Sequence, residues 1–331
     1  MLARPRPISH ATLAAITRLA GHIGARGIVV LSLAVCCGPG VLSAHGRGRA
    51  QPRCFGAAAR DPLHPCRNPR LRLSVTPTPA DAVIDPNAPC TPIERADLLN
   101  VCAFGYKGAD ARGVVALIGD SHAGHWRAAV EVVARARRWQ GISLTRAGCP
   151  FSRARARLPG VREGQCVRWN AEVRDWMARH PGVSTVVVSE HVGGRVVPAG
   201  GRSALGTQVL GYTRGWTSLP HTVKRIAVVR DTPRAGTGTL GCVAHAIARR
   251  VPAGPACAIP RAWSLSVDPA AIAAQHVRSR RIQLIDMTRY FCSRRMCFPV
   301  IGGALVHKDT GHLTAVYSAT LGPFLDRAIA R

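Results

Sequence analysis

The chain has almost no lysine: only Lys107, Lys224 and Lys308 occur. Arginine therefore supplies nearly all of a formal net charge of +28, and it is scattered, with no long basic block. Aromatic residues make up only 5% of the chain. That leaves few stacking platforms for unpaired bases. No helix-turn-helix, zinc-finger or RNA-binding signature is present, so the charge does not indicate specific nucleic-acid recognition. It suits anionic surfaces such as cell-wall polymers or lipid head groups. No CxxC pair occurs, and His64 near Cys66 and His245 near Cys242 are isolated neighbours, not a ligand set. A structural zinc site is not indicated, and no metal or cofactor is expected. No acidic residue precedes Asp61, and no internal repeat is visible.

The chain holds 331 residues, 47% hydrophobic and 19% charged, which suits one large domain or two small ones with ample surface to bury. Arg4, Arg6, Arg18 and Arg26 precede an apolar stretch from Gly27 to Cys37, followed by Gly38-Pro39-Gly40 and the small-residue tail Leu42-Ser43-Ala44. A basic leader, a short apolar core and a small-residue exit fit a signal peptide, or an uncleaved signal anchor, over residues 1–44. The apolar run is short for a membrane span. Residues 45–85, rich in Arg, Pro and Ala and without periodicity, read as a flexible linker. The expected folded domain is 86–331.

Omitting Cys36 and Cys37 in the leader, ten of the twelve cysteines remain. Their order suggests local pairs: Cys54 with Cys66, Cys90 with Cys102, Cys149 with Cys166, Cys242 with Cys257, and Cys292 with Cys297. Order alone does not fix connectivity. Such pairing requires an oxidising compartment, in agreement with the leader.

Beyond the linker, strand-length apolar runs alternate with helical patterns. Strands are expected at 113–118, 141–145, 183–189, 225–230 and 281–286. Helices are expected at 124–138, 167–179, 268–278 and 313–330, with 205–218 a helix or a loop. This alternation predicts an α/β fold, a parallel sheet covered on both faces. Sites in such sheets form beyond the carboxyl ends of the strands. Ser121, Glu190, Asp231 and Asp286 all lie at such ends.

Two segments carry chemistry. Val114-Val115-Ala116-Leu117-Ile118-Gly119-Asp120-Ser121-His122-Ala123 is a buried-strand run ending in a glycine turn that presents a serine. Asp309-Thr310-Gly311-His312-Leu313-Thr314 puts a carboxylate three residues before an imidazole. A serine needs a base to take its proton, and the base needs a third group to orient it. Ser121, His312 and Asp309 can fill these roles. The same segments also read as a helix cap at Asp120-Ser121 and a capping turn at Asp309. Asp286 and, more weakly, Glu190 are rivals to Asp309. His122, His125 and His191 stand near the same strand ends and read as structural or substrate-facing.

With these residues in hand, the chain resembles the SGNH (GDSL-type) hydrolase superfamily. More narrowly, it resembles the SGNH domain associated with bacterial membrane acyltransferase-3 proteins that modify surface polysaccharides. The resemblance covers roughly 86–331. It rests on Gly119 to Ala123, Cys149-Pro150, Asp231 to Pro233, the pair Cys292 and Cys297, and the block from His307 to Thr314, with His307 at a family tyrosine position. It implies a three-layer α/β/α sandwich with a mostly parallel central sheet, flavodoxin-like. It also implies Ser121 as nucleophile, His312 as base and Asp309 as its partner. The Ser121 N–H and Gly148 are the expected oxyanion donors. The superfamily's oxyanion asparagine has no counterpart here, since the segment after 183–189 reads Glu190-His191-Val192-Gly193-Gly194.

The expected activity is a serine esterase or O-acyltransferase acting on acyl esters, acetyl first, of cell-envelope carbohydrate. Alternatives are a non-catalytic glycan-binding module and a lipase-type esterase of the same superfamily. The expected partners are an acylated or acceptor polysaccharide, a membrane acyltransferase and anionic cell-surface polymers. The expected location is periplasmic or extracellular.

Overall fold

The computed structural model describes residues 51–330. The leader expected over 1–44 lies outside these residues. A seven-stranded sheet organises the chain: β1 (Thr91–Ala96), β2 (Leu99–Gly105), β3 (Gly113–Gly119), β4 (Trp139–Thr145), β5 (Val183–Ser189), β6 (Arg225–Val229) and β7 (Ile282–Ile285). Its order is β1-β2-β4-β3-β5-β6-β7. The five strands from β4 to β7 in that order run parallel, and β2 and β1 extend them antiparallel. The parallel block has the flavodoxin-like strand order, and the winding reverses at β3, where open α/β sheets place their sites.

Residue periodicity explains the layers. Successive strand side chains face opposite sides of a sheet. Val115 and Leu117 of β3, Val187 of β5 and Val229 of β6 enter one core. It also holds Val130 and Val133 of α2 (Arg127–Arg137), with Leu321 and Leu325 of a C-terminal helix. Ala116, Ile118, Val186, Val188 and Val228 enter the other core, against Trp169 and Trp176 of α3 (Arg162–Arg179) and Trp216 of α4 (Ala204–Thr217). Ala270 and Ala273 of α6 (Pro269–His276) close this second layer. A further helix, α5 (Thr239–Ala248), lies between α4 and α6 in sequence, and α7 (Ala315–Ile329) ends the chain. Each fully buried large apolar side chain contributes roughly 1.5–3 kcal/mol, so the two layers dominate stability. The α/β/α sandwich expected from the sequence is the observed fold.

The stretch predicted as a flexible linker over 45–85 is, from residue 51 on, built into the body. Cys54 is bonded to Cys66. Ala57 is fully buried, and its N–H donates to Thr320 Oγ1 of α7 at 3.0 Å. The Asp61 carboxylate pairs with Arg327, and Asp85 accepts from the Ala315 N–H at 2.7 Å. The segment has no apolar period because a disulfide and scattered long-range hydrogen bonds hold it, not a continuous stripe. All five expected cysteine pairs are disulfides. Among the described residues no helix is long and apolar enough to cross a membrane.

Candidate active site

The site is built at the carboxyl ends of β3, β5 and β6. β3 ends at Gly119, whose φ is 143°. A Cβ there would lie 2.3 Å from the Ser189 carbonyl oxygen of β5. Only glycine fits so close an approach with that backbone. The chain then turns directly into the short helix α1 (Ser121–His125). Asp120 caps it: one carboxylate oxygen accepts the His122 N–H at 2.7 Å, and the other accepts the His191 N–H at 3.0 Å. This ties the β3 turn to the loop after β5 and leaves Ser121 as the first helical residue.

The second segment folds back onto this turn. Asp309 Oδ1 accepts the backbone N–H groups of Gly311 at 2.8 Å and His312 at 2.7 Å. Its Oδ2 lies 2.7 Å from His312 Nδ1. The opposite ring nitrogen, Nε2, lies 2.9 Å from Ser121 Oγ. A carboxylate on Nδ1 fixes the tautomer whose Nε2 accepts the hydroxyl proton. The turn is itself braced: the Ala235 N–H donates to the Thr310 carbonyl at 2.8 Å, and Thr232 Oγ1 donates to the Gly311 carbonyl at 3.2 Å. Partial burial alone would raise the Asp309 carboxyl. The hydrogen bonds from the His312 ring and from two backbone N–H groups outweigh it and hold Asp309 well below the usual carboxylate range. The side chains of Asp309 and His312 remain 49% and 30% exposed, so both are open to solvent.

The comparisons with known proteins bear on this arrangement. A family model described as "SGNH domain (fused to AT3 domains)" matches residues 89–327. The chain belongs to this SGNH family. A solved structure of a Salmonella ser. Paratyphi A lipopolysaccharide acetyltransferase periplasmic domain is similar in fold, with a TM-score of 0.52 at 13% identity. The likeness covers 67% of this chain and 85% of that one. No curated protein matches the chain by sequence.

Within this SGNH domain, the other sequence candidates take different places. Asp286 is not beside His312: it pairs with Arg230 at 2.9 Å and accepts the Thr288 N–H. Glu190 is buried and accepts the N–H groups of Asp120 and Phe151. Burial, then the neighbouring Asp120, pushes its carboxyl well above the usual range. Gly148 has φ of 69° and sits in the turn after β4. That turn is fastened beside the serine loop by the Arg146 N–H, which donates to the Gly119 carbonyl at 3.1 Å. His125, the last residue of α1, is buried, and burial, then the charge of His122, drives its ring well below the ordinary imidazole range. His307 is also buried, lowered to about 4 chiefly by burial.

One pairing was not legible in the sequence. His122 Nδ1 lies 2.6 Å from Asp231 Oδ1, and both side chains are almost wholly buried. Burial opposes the His122 cation, but the Asp231 carboxylate beside it wins and raises the ring above its ordinary value. The ring centroid lies 4.8 Å from that of His312 and 4.3 Å from that of His191. Potential ligand atoms of His122, His191 and Asp231 come within 4.8 Å of one another. The Asp231 oxygens are already engaged, however, by His122, by the Thr232 N–H at 2.7 Å and by the Val192 N–H at 2.9 Å. The group is thus a hydrogen-bonded dyad with a neighbouring imidazole. Asp231 was conspicuous in the sequence as a strand-end carboxylate and as part of Asp231 to Pro233, with nothing to name its partner.

Proposed function

We propose that the protein is an exported serine esterase or O-acyltransferase acting on acyl esters, acetyl first, of cell-envelope carbohydrate. The observation that carries this reading is the continuous hydrogen-bonded line from Ser121 Oγ through His312 to Asp309. Ser121 Oγ attacks the acyl carbonyl as His312 Nε2 takes its proton. The protonated imidazole is stabilised by Asp309 and then gives that proton to the departing alcohol. The acyl-serine so formed passes to water, which gives hydrolysis, or to a sugar hydroxyl, which gives transfer. In the second half-reaction His312 takes the proton of the incoming hydroxyl and returns it to Ser121.

The developing oxyanion is met by the Ser121 N–H at the start of α1, with Gly148 in the adjoining turn as the second donor. Losing such a donor costs about 2.7–4 kcal/mol of transition-state stabilisation. The absent asparagine therefore favours a weak hydrolase, or one whose site a partner surface completes. No step requires a metal or a nucleotide. A membrane acyltransferase is the partner that would supply the acyl group, consistent with the fusion in the family's description. Five disulfides and the arginine-rich, acid-free leader support an exported location.

Hydrolysis of p-nitrophenyl acetate by wild type and Ser121→Ala tests the reading. The variant should lose activity by about 10³-fold or more, as expected when a nucleophile is removed. Equal rates would overturn it and leave the glycan-binding alternative.

A further inference from the structure

A cleft of about 600 Å³ opens beside the proposed reactive centre. Thr310 and Gly311, the two residues before His312, form part of its wall, and His122 and Asp231 line it as well. Arg234 and Trp263 also line it. The same loop that carries Arg234 is fastened to the histidine turn through the Ala235–Thr310 hydrogen bond. A molecule in the cleft is therefore held against the Asp309–His312 segment.

The ionic groups of this cleft are not balanced. Its two carboxylates are spent inside the protein. Asp231 is engaged by His122, Thr232 and Val192. Asp268 is buried, caps α6 through the Ala271 N–H at 2.9 Å, and accepts the Asp231 N–H at 2.9 Å. Arg230 is matched by Asp286. Arg234 is exposed and, among the described residues, has no carboxylate partner. Of its guanidinium, among the described residues, only Nε donates, to the Trp263 carbonyl at 2.9 Å. Its guanidinium lies 4.1 Å from the centroid of the Trp263 ring, which is itself 44% exposed. Stacking on an indole pre-orders the guanidinium and leaves its terminal N–H groups facing outward, a geometry suited to a planar or tetrahedral oxyanion. The free edge of an indole offers apolar contact to a sugar ring.

We infer that this cleft is the subsite for an anionic glycan, one whose sugar carries a carboxylate or a phosphodiester, with Arg234 receiving the charge and Trp263 the ring. The inference deepens the proposed function by giving its carbohydrate a charge class. It is tested by binding alone, so its failure is separable from failure of the acyl chemistry.

The full-length protein would be titrated calorimetrically with three unacylated probes of equal length. These are an oligogalacturonate, a ribitol-phosphate oligomer and a neutral xylo-oligosaccharide. At least one anionic probe should bind about tenfold more tightly than the neutral one, the scale of a single charge-assisted contact. Selectivity for the first assigns a uronate and for the second a phosphodiester; both support the cleft as an anion subsite. Arg234→Gln should remove the preference. Arg179→Gln removes an equal charge at the carboxyl end of α3, outside the cleft lining, and should retain it. Quenching of indole fluorescence by the preferred probe, lost in Trp263→Phe, gives a readout that does not depend on the arginine variant folding. Equal affinity for all three probes, or an anion preference that Arg179→Gln abolishes as fully as Arg234→Gln, would overturn the inference. The latter outcome would assign the effect to the net charge of the chain.

Discussion

At the residue scale, two acid–imidazole pairs stand side by side, and their environments divide their roles. His312 with Asp309 is open to solvent and faces a hydroxyl. His122 with Asp231 is closed in, and its ring is biased toward the charged form. A raised imidazole value means that the folded state binds the proton more tightly than the unfolded one. The pair therefore adds stability that is fully present below about pH 6.5, the unfolded value. That stability is lost as pH rises through the folded value. Asp231→Asn should lower the titration midpoint of His122, since burial persists while the paired charge is gone. Ring-nitrogen NMR across a pH series measures this, and an unchanged midpoint would show that Asp231 does not set the charge of His122. Ser121, His312 and Asp309 were visible as candidates because each sits in a short local pattern. The His122–Asp231 contact spans 109 positions, and no local pattern encodes the choice between Asp231, Glu190 and Asp286 as the partner of a given histidine.

At the element scale, the parallel strands were legible because they are buried on both faces and therefore read as unbroken apolar runs. β5 is observed at the predicted 183–189, and β3 ends one residue beyond the predicted 113–118. The antiparallel pair β1 and β2 was not legible. β1 is almost wholly exposed, so it buries no face that would impose an alternation of polar and apolar residues. The 205–218 segment, read as a helix or a loop, is the helix α4; its Ser203 hydroxyl caps the Gly206 N–H. The most exacting element junction is the β3–α1 turn, where Gly119 meets the β5 backbone. Gly119→Ala should lower stability by about 2–4 kcal/mol, since it adds both a clash with a carbonyl and a strained backbone angle. Chemical denaturation measures it; an unchanged midpoint would show that the turn relaxes freely and does not position the serine rigidly.

At the scale of the whole molecule, the sheet order matters more than any single contact. The winding reversal at β3 places the turn after that strand between the ends of β4 and β5, so that Ser121, Gly148 and His191 come from three neighbouring loops. The C-terminal segment then crosses back over this edge, held by Ala235 and Thr232 after β6. Residues 51–85 support that crossing from beneath. Asp85 accepts from the first residue of α7, and Lys308 Nζ donates to the Asp85 carbonyl at 2.8 Å. The histidine turn, which lies between these anchors, is thus positioned by both ends of the described chain. The apparent linker is part of what holds the candidate site together, and its lack of periodicity concealed that from the sequence.

The central claim is that the hydroxyl at the end of β3 carries an acyl group during turnover. Rapid acid quenching of the protein with p-nitrophenyl acetate, followed by peptide mass spectrometry, tests this most directly. The account predicts an acetyl adduct on Ser121 that accumulates in wild type and is absent from Ser121→Ala. Turnover with no adduct on Ser121, or an adduct confined to another residue and undiminished in Ser121→Ala, would contradict it.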